Sequence, residues 1–428
     1  MKKALKYLRI MVFGSLVVLL VIPSTIFAAD FIGSLITISA ETSPEVLKEV
    51  SPSIAYDSQR QAYLVVWYND RPGCDDIRGQ RLSKNGTLLG GPFYISAGCP
   101  NERYHPDVTY DSTADQYLVV WQDYHSSAGT AIKGRRVSGA GVVLDATDIT
   151  IRGAGAPTWN AYTPVVAYGY TSDRYLVVYE EVWAGSFCIC GNLVDSDGNV
   201  GSQITIGSCN ASEELQEPDV AYNVHANRFL VVWEESYGSE WDIRGQQIRA
   251  NDGGLYHGVY YIAGEASHEE RNPAVAALPD TPNNDKFLVV YEQNAIASTD
   301  HDIYGIIAQE EDGWVGMAFG IATYGSRNET GPAVAGNDSD LQYFVTWLYN
   351  HDGTFIPIRG QAVTYAGALT GQLQQVLPTA SDANNPAVAA GPVGDFLVAW
   401  QDDRYTTDMS LYGRIYGNRT YLPVVVRP

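Results

Sequence analysis

Short apolar runs, separated by polar turns, recur along the whole chain in the same order. The most regular run is an aromatic residue, three aliphatic residues and a second aromatic residue, first seen as Tyr63-Leu64-Val65-Val66-Trp67. Closely related runs return at 117–121, 175–179, 229–233, 287–291, 343–347 and 396–400. Valine, leucine and aromatic residues in short runs are typical of buried β-strands, and no long stretch shows a helical period. The pattern therefore indicates an all-β repeat protein.

A proline opens each of the seven repeats, and neighbouring prolines are 54 to 59 residues apart: Pro52, Pro106, Pro164, Pro218, Pro273, Pro332 and Pro386. Each repeat has three apolar runs and usually a fourth, such as Phe93-Tyr94-Ile95-Ser96. Four strands in about 55 residues match one propeller blade. Immunoglobulin-like sandwiches need about 100 residues per unit, and β-helix coils are much shorter. The sequence predicts a single seven-bladed β-propeller of four-stranded blades.

The first strand predicted in the mature chain closes the ring. Residues 33–39 contain Leu35-Ile36-Thr37-Ile38-Ser39, which resembles the fourth-strand run Ile204-Thr205-Ile206-Gly207. The last repeat has only three runs, so we expect residues 33–39 to become the outer strand of its blade, since an open ring would expose strand edges. Residues 421–426 are the competing candidate, but their internal Pro423 fits a tail or an edge better than a paired strand.

The chain divides into a predicted signal peptide (1–29), a propeller (30–417) and a C-terminal tail (418–428). Lys2, Lys3, Lys6 and Arg9 precede an apolar run, and Ala28-Ala29 follows it, as in secretory signals. The apolar run is shorter than a membrane span, so no span is expected after cleavage, although a retained anchor is the alternative. We expect a secreted or cell-surface protein.

The chain is strongly acidic, with a formal net charge of −22. Four positive charges lie in the predicted signal peptide, which leaves the mature chain near −26. Such a charge repels phosphate backbones and argues against nucleic-acid partners. It agrees with solubility outside the cell, or with a bound cation such as calcium; no other cofactor and no specific metal site are predicted.

Four of the five cysteines occupy matching places in repeats one and three. Cys74 and Cys188 follow the second strand, and Cys99 and Cys209 follow the fourth. In a secreted chain this pattern predicts the disulfides Cys74–Cys99 and Cys188–Cys209. Cys190 shares a strand with Cys188 and is an alternative partner of Cys209.

Candidate ligand-binding residues lie where the repeats differ from one another. Only repeats two and four place a carboxylate after the opening proline, as Asp107 and Asp219, and these are preceded by His105 and Glu217. We expect all four at the mouth of the central channel. Two carboxylates converging on a channel could act as acid and base, line a hydrated channel or hold a cation.

Three aromatic residues in the loops after the second strands, Trp183, Tyr237 and Trp241, are the other candidates. Aromatic rings beside carboxylates and amides suit a carbohydrate site, because rings stack on sugars while polar groups bind hydroxyls. Polar loops are, however, common on any protein surface.

The repeat Tyr-Leu-Val-Val-Trp followed by Asp-Ile-Arg-Gly-Gln, at 63–80 and 229–246, resembles repeats of secreted bacterial propeller-type proteins, mostly uncharacterised. The resemblance implies an extracellular platform and transfers no catalytic residues. The sequence therefore favours a secreted or surface module that binds an extracellular glycan or protein. The alternative is a carbohydrate-active enzyme, either a polysaccharide lyase or a glycoside hydrolase.

Overall fold

The structure is a computed structural model that describes residues 30–39, 48–71, 74–155, 159–210, 212–238, 240–278, 286–295, 300–309, 315–325, 327–337, 339–350, 356–377, 383–402 and 410–417. The predicted signal peptide and C-terminal tail lie outside these residues. All seven candidate ligand-binding residues and all five cysteines lie within them.

The described residues form 28 strands arranged as seven four-stranded antiparallel sheets. The first strand is β1 (Asp30–Ser39). Blades 1 to 3 contain β2 (Lys48–Asp57), β3 (Ala62–Asp70), β4 (Asp76–Ser83), β5 (Phe93–Ser96); β6 (Glu102–Asp111), β7 (Gln116–His125), β8 (Gly129–Ser138), β9 (Ile149–Arg152); and β10 (Trp159–Gly169), β11 (Arg174–Trp183), β12 (Ser186–Asp195), β13 (Val200–Asn210).

Blades 4 and 5 contain β14 (Glu213–Asn223), β15 (Arg228–Tyr237), β16 (Glu240–Arg249), β17 (Leu255–Ala263); and β18 (His268–Ala277), β19 (Lys286–Ala295), β20 (Asp302–Gln309), β21 (Phe319–Ala322). Blades 6 and 7 contain β22 (Asn328–Asn337), β23 (Gln342–Asn350), β24 (Ile358–Thr364), β25 (Leu369–Gln375); and β26 (Ala383–Ala390), β27 (Phe396–Asp402), β28 (Ser410–Gly417) with β1. The predicted seven-bladed β-propeller is confirmed.

The ring closes through β1, as predicted. It pairs antiparallel with β28, for example Ile36 with Gly413 and Ser39 with Leu411. The strand begins at Asp30, earlier than the predicted residue 33, because β28 continues to Gly417 and offers backbone partners that far. The innermost strands contact one another around the ring, including β26 with β2.

The hydrophobic core is divided among the blade boundaries. Seven buried clusters each fill the space between two adjacent blades. The second strand of every blade is covered on both faces, which explains its continuous apolar run rather than an alternating one. Its final aromatic residue is buried in every blade: Trp67, Trp121, Tyr179, Trp233, Tyr291, Trp347 and Trp400.

Both predicted disulfides are present. Cys74 is bonded to Cys99, and Cys188 to Cys209, across 25 and 21 residues of chain respectively. Cys190 is a buried free thiol. Each bond therefore closes a local loop within one blade, and the alternative pairing of Cys190 is not formed.

Candidate functional site

The two faces of the ring differ in the loops that they carry. On the channel-entry face, the innermost strands begin and the second strand turns into the third. On the opposite, hairpin face, tight turns join the first strand to the second and the third to the fourth. All seven candidate ligand-binding residues lie at strand ends or strand bulges toward the channel-entry face.

A bulge in every innermost strand builds the wall of the central channel. The pairing register shifts just before the opening proline, as between Tyr104 and Asp107 or between Gln216 and Asp219. The residue before the proline has a positive φ in all seven blades: Ser51, His105, Thr163, Glu217, Asn272, Gly331 and Asn385. This conformation costs a non-glycine residue about 1–2 kcal/mol, so neighbouring contacts must offset it.

A side chain of the preceding blade provides such a contact at five boundaries. In the preceding blade, the residue after the buried aromatic of the second strand accepts a hydrogen bond. The donor is the backbone N–H of the residue with positive φ before the proline. Glu180 accepts from Glu217 at 2.8 Å, and Glu234 accepts from Asn272 at 2.9 Å. Glu292, Gln122 and Gln401 act in the same way at their boundaries. We call these five side chains the inter-blade clamps.

The candidate carboxylates line the channel, which encloses about 540 Å³, and also bond blade to blade. Asp107 accepts hydrogen bonds from the Ser53 hydroxyl at 2.6 Å and from the Val166 backbone N–H at 2.7 Å. Asp219 accepts from the Val275 N–H at 2.7 Å. Burial raises the pKa of both groups, that of Asp219 to about 7 with a further contribution from the Asp107 charge. Both carboxylates therefore have a structural role at the channel wall.

His105 and Glu217 occupy the channel mouth, where their side chains remain exposed to the channel. Protein surrounds this opening and reduces hydration of charged groups. Burial consequently lowers the pKa of His105 and raises the pKa of Glu217. Both shifts are toward the uncharged form of the side chain.

Two buried carboxylates that sequence reasoning did not select lie beside Glu217. Burial raises the pKa of Glu180 and of Glu234 to about 7, and the charge of Glu217 raises both further. Their position in the sequence could have identified them, because each directly follows the aromatic residue that ends the apolar run of the second strand. The mouth of the channel beside blades 3 and 4 is therefore rich in carboxylates that bind protons readily.

Trp183 and Tyr237 expose their rings on the channel-entry face of blades 3 and 4. Trp183 is 50% exposed, and Tyr237 is 71% exposed. Trp159, which sequence reasoning missed, lies opposite Trp183 in the strand pairing, with ring centroids 5.9 Å apart. The ring of Trp159 is 38% exposed and is covered on one side by Arg152.

Trp241 is covered by an arginine of the next blade. The Arg271 guanidinium lies 3.9 Å from the centroid of the Trp241 ring. Arg271 is held in turn by Glu234 and Glu269, each at 3.6 Å. Trp241 is therefore half-buried under an ion-paired arginine and offers less free ring surface than Trp183 or Tyr237.

Carboxylates flank the exposed tyrosine. In the three adjacent strands of blade 4, Glu213 pairs with Tyr237, and Tyr237 pairs with Glu240. Directly paired residues have Cβ atoms about 4.5–5.5 Å apart. The row Glu213–Tyr237–Glu240 thus combines an aromatic face with hydrogen-bond acceptors on both sides.

Two features are absent from the described part of the chain. It contains no group of three or more histidine, cysteine, aspartate or glutamate residues arranged to hold a metal ion. Nor does it contain a helix long and apolar enough to cross a membrane.

Comparisons with known proteins give the architecture. The chain matches no protein-family model, and no curated protein is significantly similar to it in sequence. A protein of unknown function from Dyadobacter fermentans aligns with a TM-score of 0.55 and 9% identity over 92% of this chain and 100% of that one. The polysaccharide lyase Uly1 gives 0.56 and 7% over 91% and 100%, and the endosialidase of phage phi92 gives 0.52 and 8% over 93% and 71%. At these identities the likeness shows the fold alone.

Proposed function

We propose that the protein is a secreted or cell-surface binding module that recognises a carbohydrate on the channel-entry face of blades 3 and 4. The observation that carries the proposal is the exposed pair Trp159 and Trp183, with Tyr237 exposed on the adjacent blade. Aromatic rings with a free face stack on the apolar face of a sugar ring. Glu213 and Glu240, beside Tyr237, supply acceptors for sugar hydroxyl groups.

The location outside the cell rests on the covalent structure and on the sequence. Two disulfides persist in oxidising compartments and are rare in the cytosol. The same fold also carries a lyase and an endosialidase, so a propeller of this kind is compatible with a glycan ligand.

Binding is favoured over catalysis because the paired channel carboxylates are already engaged. Asp107 accepts from Ser53 and Val166, and Asp219 accepts from Val220 and Val275. A general acid or base needs an oxygen within reach of the substrate proton. Oxygens that hold neighbouring blades together meet this requirement poorly.

The alternative, a polysaccharide lyase or glycoside hydrolase, rests on Glu217. Its carboxyl group lies at the channel mouth, open to the channel, where the surrounding protein reduces its hydration and raises its pKa. Cleavage of a polysaccharide by the mature protein, abolished by Glu217→Gln, would establish this alternative in place of simple binding.

Binding can be tested on an array of neutral, amino and acidic oligosaccharides. We expect a specific glycan to bind the mature protein, and Trp183→Ala or Tyr237→Ala to weaken that binding about tenfold or more, because each change removes a stacking surface. Tyr365→Ala is the matched control, since Tyr365 is 45% exposed on the hairpin face. Equal affinity of all three variants for the bound glycan would contradict the proposed site, and binding of no glycan would contradict the proposed ligand class.

A further inference from the structure

Glu329 is a buried carboxylate at the boundary between blades 5 and 6. It lies in β22, three residues before Pro332, and its side chain is fully buried. Neither carboxylate oxygen has a hydrogen-bond partner among the described residues. An ionised carboxylate removed from water requires a partner, because its desolvation is otherwise uncompensated.

Asp302 is a second carboxylate at this boundary. The Glu329 backbone N–H donates to the His301 carbonyl oxygen at 2.8 Å, which sets Glu329 against the start of β20. There Asp302 has a buried oxygen, Oδ1, that also lacks a hydrogen-bond partner in the described part of the chain. Burial raises the pKa of Glu329 to about 8, and the charges of Asp302 and Asp300 contribute to that rise. Negatively charged side chains are therefore concentrated at the boundary between blades 5 and 6.

At the equivalent boundary between blades 1 and 2, arginine side chains fill the pocket. Arg103, three residues before its proline, occupies the place of Glu329. Its guanidinium donates to the carbonyl oxygens of Asp75 at 2.8 Å and Gly98 at 3.0 Å, and lies 3.5 Å from Asp123. Asp76, the counterpart of Asp302, accepts from Arg71 at 2.8 Å.

Both of those cations are absent from the repeat that forms blades 5 and 6. In the sequence, Ala295 stands at the position of Arg71, four residues after the aromatic of the second strand, and Glu329 stands at the position of Arg103. Neither of these two positions therefore provides a positive side chain between blades 5 and 6.

The nearest arginines are engaged elsewhere. Arg359 stacks on the ring of Tyr349 at 3.4 Å, and Arg327 donates to the Tyr349 hydroxyl. Tyr349 is the strand partner of Glu329, so both guanidinium groups reach the tyrosine that pairs with the carboxylate rather than the carboxylate itself. They oppose the rise in the Glu329 pKa less than Asp302 and Asp300 promote it.

We propose that the pocket between blades 5 and 6 binds a calcium ion through the carboxylates of Glu329 and Asp302. Calcium binds oxygen ligands in flexible geometry. Backbone carbonyl oxygens and water can complete its coordination shell, so two carboxylates suffice as charged ligands. Zinc prefers nitrogen and sulfur ligands, and neither Glu329 nor Asp302 provides one. The ion would supply the positive charge that Arg71 and Arg103 supply between blades 1 and 2.

The test uses the mature protein, freed of metal with a chelator and titrated with calcium chloride at pH 7.5. We expect binding of one ion per chain by calorimetry, and a rise in melting temperature of about 3–5 °C at a hundredfold excess over Kd. Glu329→Gln should abolish both effects. Glu265→Gln, which removes an exposed carboxylate from the loop between blades 4 and 5, should leave both unchanged.

Two results, one with the unmodified protein and one with Glu329→Gln, would overturn the proposal. One is the absence of calcium binding by the metal-free mature protein, which would mean that protonation alone neutralises the pocket. The other is unchanged calcium affinity in Glu329→Gln. If that variant does not fold, Glu329→Arg reproduces the arrangement of Arg103, and it should melt at the temperature of the calcium-loaded protein with or without calcium. A calcium-dependent melting temperature in folded Glu329→Arg would equally contradict the assignment.

Discussion

Replacing Ile38 by aspartate is expected to destroy the cooperative fold. Ile38 lies in the closing strand β1 with its side chain buried among Ile54, Leu411 and Ile415, at the boundary of blades 7 and 1. Loss of a buried isoleucine costs about 2–5 kcal/mol, and burying an unpaired carboxylate adds to that cost. Since β1 is the strand that covers the edge of β28 among the described residues, the substitution also weakens the ring closure.

Thermal unfolding followed by circular dichroism measures this effect. Thr37→Asp is the matched control, because Thr37 is the neighbouring residue on the exposed side of the same strand. We expect Ile38→Asp to lower stability by about 4 kcal/mol or more and Thr37→Asp to change it by less than about 0.5 kcal/mol. Similar melting temperatures for the two variants would show that β1 does not hold the ring closed.

Two of the inter-blade clamps, Glu180 and Glu234, should make the protein more stable in mild acid than at pH 8. The pKa of Glu180 and that of Glu234 are raised by burial from about 4.5 to about 7. The folded state therefore binds more protons than the unfolded state between these values, and stability falls as pH rises from about 4.5 to about 7. Each group accounts for roughly 2–3 kcal/mol of that fall.

The chain itself supplies the variant that tests this pH dependence. Gln122 and Gln401 serve as clamps at two other boundaries, so Glu180→Gln and Glu234→Gln keep an acceptor for the backbone N–H while removing the charge. At pH 8 we expect both variants to melt several degrees above the unmodified protein. Near pH 4.5 we expect the variants and the unmodified protein to melt at the same temperature. Glu214→Gln, at an exposed position, should follow the unmodified protein at both values. Melting temperatures of the clamp variants that depend on pH as steeply as those of the unmodified protein would refute this role.

The fold could be predicted from the sequence because every repeat shows the same pattern of strands. Seven similar apolar runs fix the number of blades, and Leu35–Ser39 copies a fourth strand closely enough to identify the closing partner. The cysteine pairs were predictable for the same reason, since repeats one and three place them alike. What the pattern could not fix was the length of β1, which depends on how far β28 extends.

The candidate site was only partly predictable, because its contacts cross between blades. The position of Asp107 after a proline indicated the channel, but its bonds to Ser53 and Val166 depend on the bulge that turns the strand. The sequence places Glu180 and Glu234 in ordinary strands. Their hydrogen-bond partner is the backbone N–H of a residue with positive φ in the next blade, and only the structure shows it. Trp159 was missed since only strand pairing brings it opposite Trp183.

Hydrogen–deuterium exchange of the mature protein with and without a bound oligosaccharide tests the proposed binding face most directly. The oligosaccharide would be the one that the array identifies. Our account predicts slower amide exchange in the segments around Trp183 and Tyr237, with unchanged exchange in the hairpins around Asn85 and Tyr365. Protection confined to the hairpin face, or absent around both Trp183 and Tyr237, would contradict it.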